Sequence, residues 1–156
     1  MFKSLTRLTI DADGRYATDQ ELQFLQDLLD TAETRISAYE KVRDNEEQII
    51  LRWEAEKRNL PQDTFHMGDR DVTEICRRDM TNIFRCSITA ILFGDLDRLR
   101  EGLLIWYQTI VRAYNYTEYA KISYQVIQET IKEFLEPDEV AMVLPALKLD
   151  HTILSS

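Results

Sequence analysis

Residues 72–93 read VTEICRRDMTNIFRCSITAILF, and the reading of this stretch decides the fold. Val72, Ile75, Met80, Ile83, Phe84, Ile88 and Ile91 recur mostly at steps of three and four. That spacing predicts a helix with one buried face. Within it, Cys76-Arg77-Arg78-Asp79 places a thiol, two cations and a carboxylate in about one helical turn. Cys76 falls at the edge of the apolar face, and Asp79, three residues on, projects from nearly the same side. A ligand tethered at the thiol could be held by the carboxylate.

The rest of the chain continues the helical pattern. Its three prolines, Pro61, Pro137 and Pro145, and four glycines leave long stretches free to propagate helix, so the fold class is all-α. Met1 to Ile10 is a short amphipathic segment ending in the turn Asp11-Ala12-Asp13-Gly14. Thr18 or Asp19 is an N-cap, and Glu21 completes a capping box with Thr18. Leu22, Leu25, Leu29, Ala32 and Ile36 then form one stripe of a helix reaching about Val42. A third helix is expected from Asp44 to Arg58, with Ile49, Ile50, Leu51 and Trp53, closed by Asn59-Leu60-Pro61. His66 and Gly68 lie in the loop that follows.

Beyond residue 93, Gly94-Asp95 marks a turn, and a helix is expected from Asp97 to Ala113. Leu99, Leu103, Ile105, Trp106, Ile110 and Val111 are expected inside, with Tyr107 at the margin. Asn115-Tyr116-Thr117 breaks this helix, and the next runs to about Phe134. Pro137 at a first helical position opens the last helix, to about Leu149, in which Pro145 predicts an interruption or kink.

A length of 156 residues with 44% hydrophobic content predicts a single domain, 1–156, with a sizeable core. The formal net charge of −9 argues against nucleic acid or an anionic membrane as main partner, since either prefers a basic face. No stretch approaches the roughly 20 apolar residues of a membrane span, and the expected location is cytoplasmic. Cys76 and Cys86 are ten residues apart on one predicted helix, about 15 Å, which is too far for a disulfide. Both are expected to be free thiols, with Cys86 in the core.

On residue type alone, Cys76 reads first as a small buried hydrophobe, and Asp79 with its arginines can form a solvated ion-pair cluster, the usual fate of helix charges. His66 and His151 lack the spacing of a zinc site, and neither lies on a pocket helix where haem needs its axial ligand. The Trp53, Trp106 and tyrosine stripes read chiefly as packing. No nucleophile stands beside a base and its orienting partner, and no phosphate loop is present, so the chain is not read as an enzyme.

Four patches resemble the phycobiliproteins, the cyanobacterial light-harvesting family. They are Ala12-Asp13-Gly14-Arg15-Tyr16 with Glu21-Leu22; Cys76-Arg77-Arg78-Asp79-Met80; Phe84-Arg85 with Ala90-Ile91-Leu92-Phe93-Gly94-Asp95; and Gly102-Leu103 with Tyr107. The resemblance implies a globin-like helical domain with an N-terminal two-helix extension, residues 1–17 being the extension and interface segment. By the same resemblance Cys76 forms a thioether to a linear tetrapyrrole, phycocyanobilin or biliverdin. Asp79 binds its two central ring nitrogens, Arg78 pairs with a propionate, Arg77 or Arg70 reaches the second propionate, and Tyr107 is a ring contact. A protonated bilin suits this set, because a carboxylate at its nitrogens and cations at its propionates form charge-assisted hydrogen bonds.

The resemblance further implies a homo- or hetero-dimer through the N-terminal helices, other phycobiliprotein subunits as partners, a bilin lyase, and association with the thylakoid surface through the phycobilisome. Arg85 matches an arginine that pairs across that interface with an aspartate, either Asp11 or Asp13. The interface would cover Phe2, Leu5, Leu8 and Ile10. The chain resembles a divergent, allophycocyanin-like paralogue, with departures. His66 stands near an expected asparagine in Thr64-Phe65-His66-Met67-Gly68, and Cys86 and Thr89 replace two tyrosines. Light harvesting with energy transfer is the leading reading; the alternative is a bilin carrier or sensor, or a chromophore-free scaffold or antenna-turnover factor.

Overall fold

Thr18 starts the second helix as expected: its hydroxyl accepts the Glu21 N–H at 3.3 Å, while the Glu21 carboxylate accepts the Thr18 N–H at 2.8 Å. The computed structural model describes residues 2–56, 65–67 and 69–156. The helix stop expected at Asn59-Leu60-Pro61, and Thr64 and Gly68 of the loop, lie outside the described residues, as does the Phe2 side chain. Helices α1 (Phe2–Asp11), α2 (Asp19–Asp30) and α3 (Ala32–Glu56) come first. A two-residue antiparallel pair, β1 (His66–Met67) with β2 (Arg70–Asp71), leads into α4 (Thr73–Leu92). Then follow α5 (Leu96–Leu99), a π turn (Arg100–Leu104), α6 (Ile105–Ala113), α7 (Thr117–Thr130) with a 3₁₀ turn (Ile131–Glu133), and α8 (Pro137–Leu154). The architecture is the expected all-α, globin-like one with two leading helices.

The expected boundary between the second and third helices is corrected. The chain breaks at Thr31 and runs unbroken through Val42, Arg43 and Asp44. The Thr31 hydroxyl donates to the Asp27 carbonyl at 2.7 Å and accepts Arg35 Nε at 2.8 Å, a local competition that ends a helix. Asp44, which resembles a cap in sequence, gives its carboxylate to Arg43 at 2.8 Å. Leu29, Ile36 and Leu51 are exposed, so only part of the α2 and α3 stripes is covered within the chain.

The core lies where α3, α4, α7 and α8 pack on one another. Trp53, Phe84, Ile127 and Leu147 are sealed inside it. Burying a side chain of this size contributes roughly 1.5–3 kcal/mol. Helix α8 carries Pro137 in its first turn and a capping box between Glu136 and Glu139. The interruption expected at Pro145 is absent: helix continues to Leu154. Pro145 and Ala141, four residues before it, are both exposed, so water can take the carbonyl that the proline cannot bond.

Ile105 and Trp106, expected inside, are 46% and 60% exposed. The cause is the π turn. Buried Leu99 and Leu104 are five residues apart, one more than an α-helix places on a single face. The extra residue rotates α6 so that Tyr107 packs inward beside Val111, which is buried as expected. Cys86, expected in the core, is also corrected: it is exposed, whereas Cys76 is buried, and neither is in a disulfide. Gly94 has φ +60° at the α4–α5 turn, and a Cβ there would lie 3.2 Å from Leu28 Cδ1.

Candidate functional site

The inward face of α4 forms one wall of a cavity of about 270 Å³, closed opposite by α6 and α7. Cys76, Asp79, Met80 and Ile83 supply that wall, as their three- and four-residue spacing requires. Arg70 stands on it from β2. The β pair is tied to the start of α4, since Val72 N–H donates to the Phe65 carbonyl at 2.8 Å. The Asp71 carboxylate accepts the Thr73 N–H at 2.8 Å and its hydroxyl at 2.6 Å.

Four of the six residues expected to contact a ligand therefore line one cavity: Cys76, Asp79, Arg70 and Tyr107. Arg78 reaches it indirectly, its Nε and Nη2 donating to Asp79 Oδ1 at 2.9 and 2.8 Å. Tyr107 donates its hydroxyl to the other oxygen, Asp79 Oδ2, at 3.3 Å. Asp79 is thus oriented from two sides. Arg77 lies off the cavity wall, with Nε 3.4 Å from Glu54 Oε1 on α3.

Five tyrosines line the cavity, Tyr107, Tyr114, Tyr116, Tyr119 and Tyr124, and sequence reasoning identified only the first as a contact. Burial pushes the phenols of Tyr107, Tyr116 and Tyr119 above their usual range, and the nearby Cys76 sulfur adds to each. For Tyr107 the Asp79 carboxylate contributes more than the sulfur. The hydroxyls of Tyr116, Tyr119 and Tyr124 are buried with no hydrogen-bond partner among the described residues. The signal was present in the three- to five-residue spacing of Tyr116, Tyr119 and Tyr124. It was indistinguishable from a packing stripe until the hydroxyls were placed, because a tyrosine joins an apolar body to a polar tip.

Behind this wall, Asp150 of α8 is fully buried. Ser87 donates to its Oδ2 at 2.7 Å, and Oδ1 has no partner. Burial raises its carboxyl to about 8, against the opposing Ser87 hydrogen bond. Arg85 grips Glu46 of α3 through Nε and Nη2 at 2.7 and 2.6 Å, within the chain. Of the two aspartates considered for it, Asp11 accepts from Arg7 at 3.2 Å. His66 is exposed and sits opposite Asp71 in the β pair. Among the described residues no group of His, Cys, Asp and Glu could hold a metal ion, and no helix is long and apolar enough to cross a membrane.

The sequence pattern of the phycobilisome protein family matches residues 8–154, nearly the whole chain. No curated protein matches it significantly. The match takes in the end of α1, all of α2, the Cys76 helix and the cavity's tyrosine wall, and with the globin-like architecture it shows that the chain belongs to the phycobilisome protein family, the proteins of a light-harvesting antenna.

Proposed function

We propose that this antenna-family protein holds a linear tetrapyrrole, phycocyanobilin or biliverdin, in the α4 cavity through a thioether at Cys76, and passes on its excitation. The observation that carries the reading is the placement of Cys76 and Asp79 on one cavity wall, together with buried hydroxyls that have no partner among the described residues. The bound group would supply the visible absorption. Cys76 would add its S–H across a carbon–carbon double bond of a terminal ring, sulfur to one carbon and the proton to the other, so no oxidant is required. Asp79, already held by Tyr107 and Arg78, would accept from the central N–H groups. Arg70 and Arg78 would pair with the propionates, while Arg77 would stay with Glu54. Rigid enclosure would favour emission over internal twisting.

The N-terminal segment would supply a dimer interface and contact other antenna subunits at the thylakoid surface, on the cytoplasmic side. Ile10 and Tyr16, 70% and 97% exposed, are uncovered within the chain. The direct Arg78–Asp79 pair supports a second reading, a chromophore-free scaffold or a reversible bilin carrier, because it already satisfies the carboxylate without a ligand.

Coexpression with the enzymes that make phycocyanobilin or biliverdin, with a bilin lyase supplied, tests both. A red band whose pigment survives denaturation in the wild type and is absent from Cys76→Ala is the expected result. Covalent pigment on Cys76→Ala removes the anchor assignment, release on denaturation favours the carrier, and no pigment favours the scaffold. Asp79→Ala should shift and weaken the red band, and an unchanged spectrum would remove its role.

A further inference from the structure

Tyr119 and Tyr124 combine deep burial with unused donors. They are 9% and 1% exposed, line the cavity from α7, and neither hydroxyl has a partner among the described residues. Ser123 lies beside Tyr119, but the two hydroxyls do not meet hydrogen-bond geometry. Burial keeps both phenols protonated, with the Cys76 sulfur adding at Tyr119 and the Asp150 carboxyl adding at Tyr124. They are therefore fixed O–H donors. Asp79, the carboxylate on the cavity wall, is occupied by Arg78 and Tyr107. A buried donor left unpaired is costly, so a ligand that brings an acceptor to these hydroxyls is favoured over one that does not.

A linear tetrapyrrole carries two opposite kinds of polar edge. Its central nitrogens donate and match Asp79, while the carbonyl of each terminal lactam ring accepts. We infer that Tyr119 and Tyr124 are specificity-determining residues that donate to a terminal lactam carbonyl, holding that ring buried between α4 and α7. This rests on the tetrapyrrole reading above. The assignment predicts opposite effects on the empty and loaded protein. Removing the hydroxyls relieves an unpaired burial in the pigment-free state and loses a hydrogen bond in the loaded state.

The test uses the full chain, wild type against Tyr124→Phe and Tyr119→Phe/Tyr124→Phe, each made with and without phycocyanobilin. Pigment content is equalised by absorption after denaturation in acidic urea. In the loaded protein, the double variant should show a shifted native absorption maximum and a several-fold lower fluorescence yield. Without pigment, Tyr124→Phe should melt about 2–4 °C higher than wild type. Unchanged native spectrum and yield, or a lower melting temperature of pigment-free Tyr124→Phe, would overturn the inference and leave the tetrapyrrole reading standing. A wild type that takes up no pigment, with lyase supplied, would remove both.

Discussion

Two parts of the molecule bury polar groups, and they treat them in opposite ways. Along the α3–α8 seam, Glu139 is 4% exposed and fully engaged. Ser37 donates to it at 2.6 Å, Lys41 at 2.8 Å and the Glu136 N–H at 2.8 Å. Burial alone would raise its carboxyl, yet the hydrogen bonds of Lys41, Ser37 and Glu136 hold it below the usual range. In the α4–α7 cavity and behind its wall, by contrast, three tyrosine hydroxyls and one oxygen of Asp150 on α8 are buried without partners among the described residues. A satisfied buried network fixes how helices dock, whereas an unsatisfied one is available to a ligand. The seam is therefore structural, and the cavity keeps the unpaired donors that the proposed ligand would use.

The largest effect expected from this contrast is at Asp150. Its folded-state carboxyl titrates near 8, against about 3.9 for an unperturbed aspartate. Between those values the folded protein binds the extra proton. The stabilisation is full below about pH 4 and is lost as pH rises through about 8. Asp150→Asn removes this dependence. At pH 9 it should be more stable than wild type by on the order of 2–4 kcal/mol, measured as urea midpoints at pH 5, 7 and 9. Parallel pH curves for the two proteins would show that Asp150 is not held neutral, and would narrow the contrast.

Next in size is Glu139→Ala. It leaves Ser37 and the α8 cap without their acceptor and should cost about 2 kcal/mol at neutral pH, read from the same urea midpoints. An effect no larger than that of an exposed ion pair would erase the distinction between seam and cavity. The smallest effect is expected from deleting Gly102. The π turn adds one residue between Leu99 and Leu104, so its removal leaves them four apart with both flanking faces unrotated. Far-UV circular dichroism should be unchanged and the loss below about 1 kcal/mol. Collapse of the fold on this deletion would show that the bulge itself supports the Tyr107 wall.

Much of the fold was legible because α-helical spacing and end signals act locally. The Thr18–Glu21 box, the Gly94 turn, the Asn115 break with its φ of +58° and the Pro137 start all stand where the residues place them. Most of the misreadings share one physical origin. Trp106, Cys86 and Pro145 each required knowledge of which side of a helix meets another helix or solvent, whereas the break at Thr31 was a local competition of its hydroxyl for the helix carbonyls. The extra residue at 100–104 altered that assignment for everything after it on α6. On α4, Cys76 and Asp79 could be placed on one face from spacing alone, whereas the tyrosine wall opposite them could not.

Local sequence determined the helices, most of their ends, the pairing of thiol with carboxylate on α4 and the resemblance that led to the antenna family. Apart from the resemblance, which four patches spread along the chain carry, those properties depend on residues within about one turn of one another. Only the tertiary structure decided that Arg78 and Tyr107 both hold Asp79, that Arg77 turns to Glu54, that Arg85 takes Glu46, and that the hydroxyls of Tyr119 and Tyr124 are left without partners. Satisfaction of a buried polar group depends on atoms brought together from distant helices, and a single helix's periodicity carries no record of them.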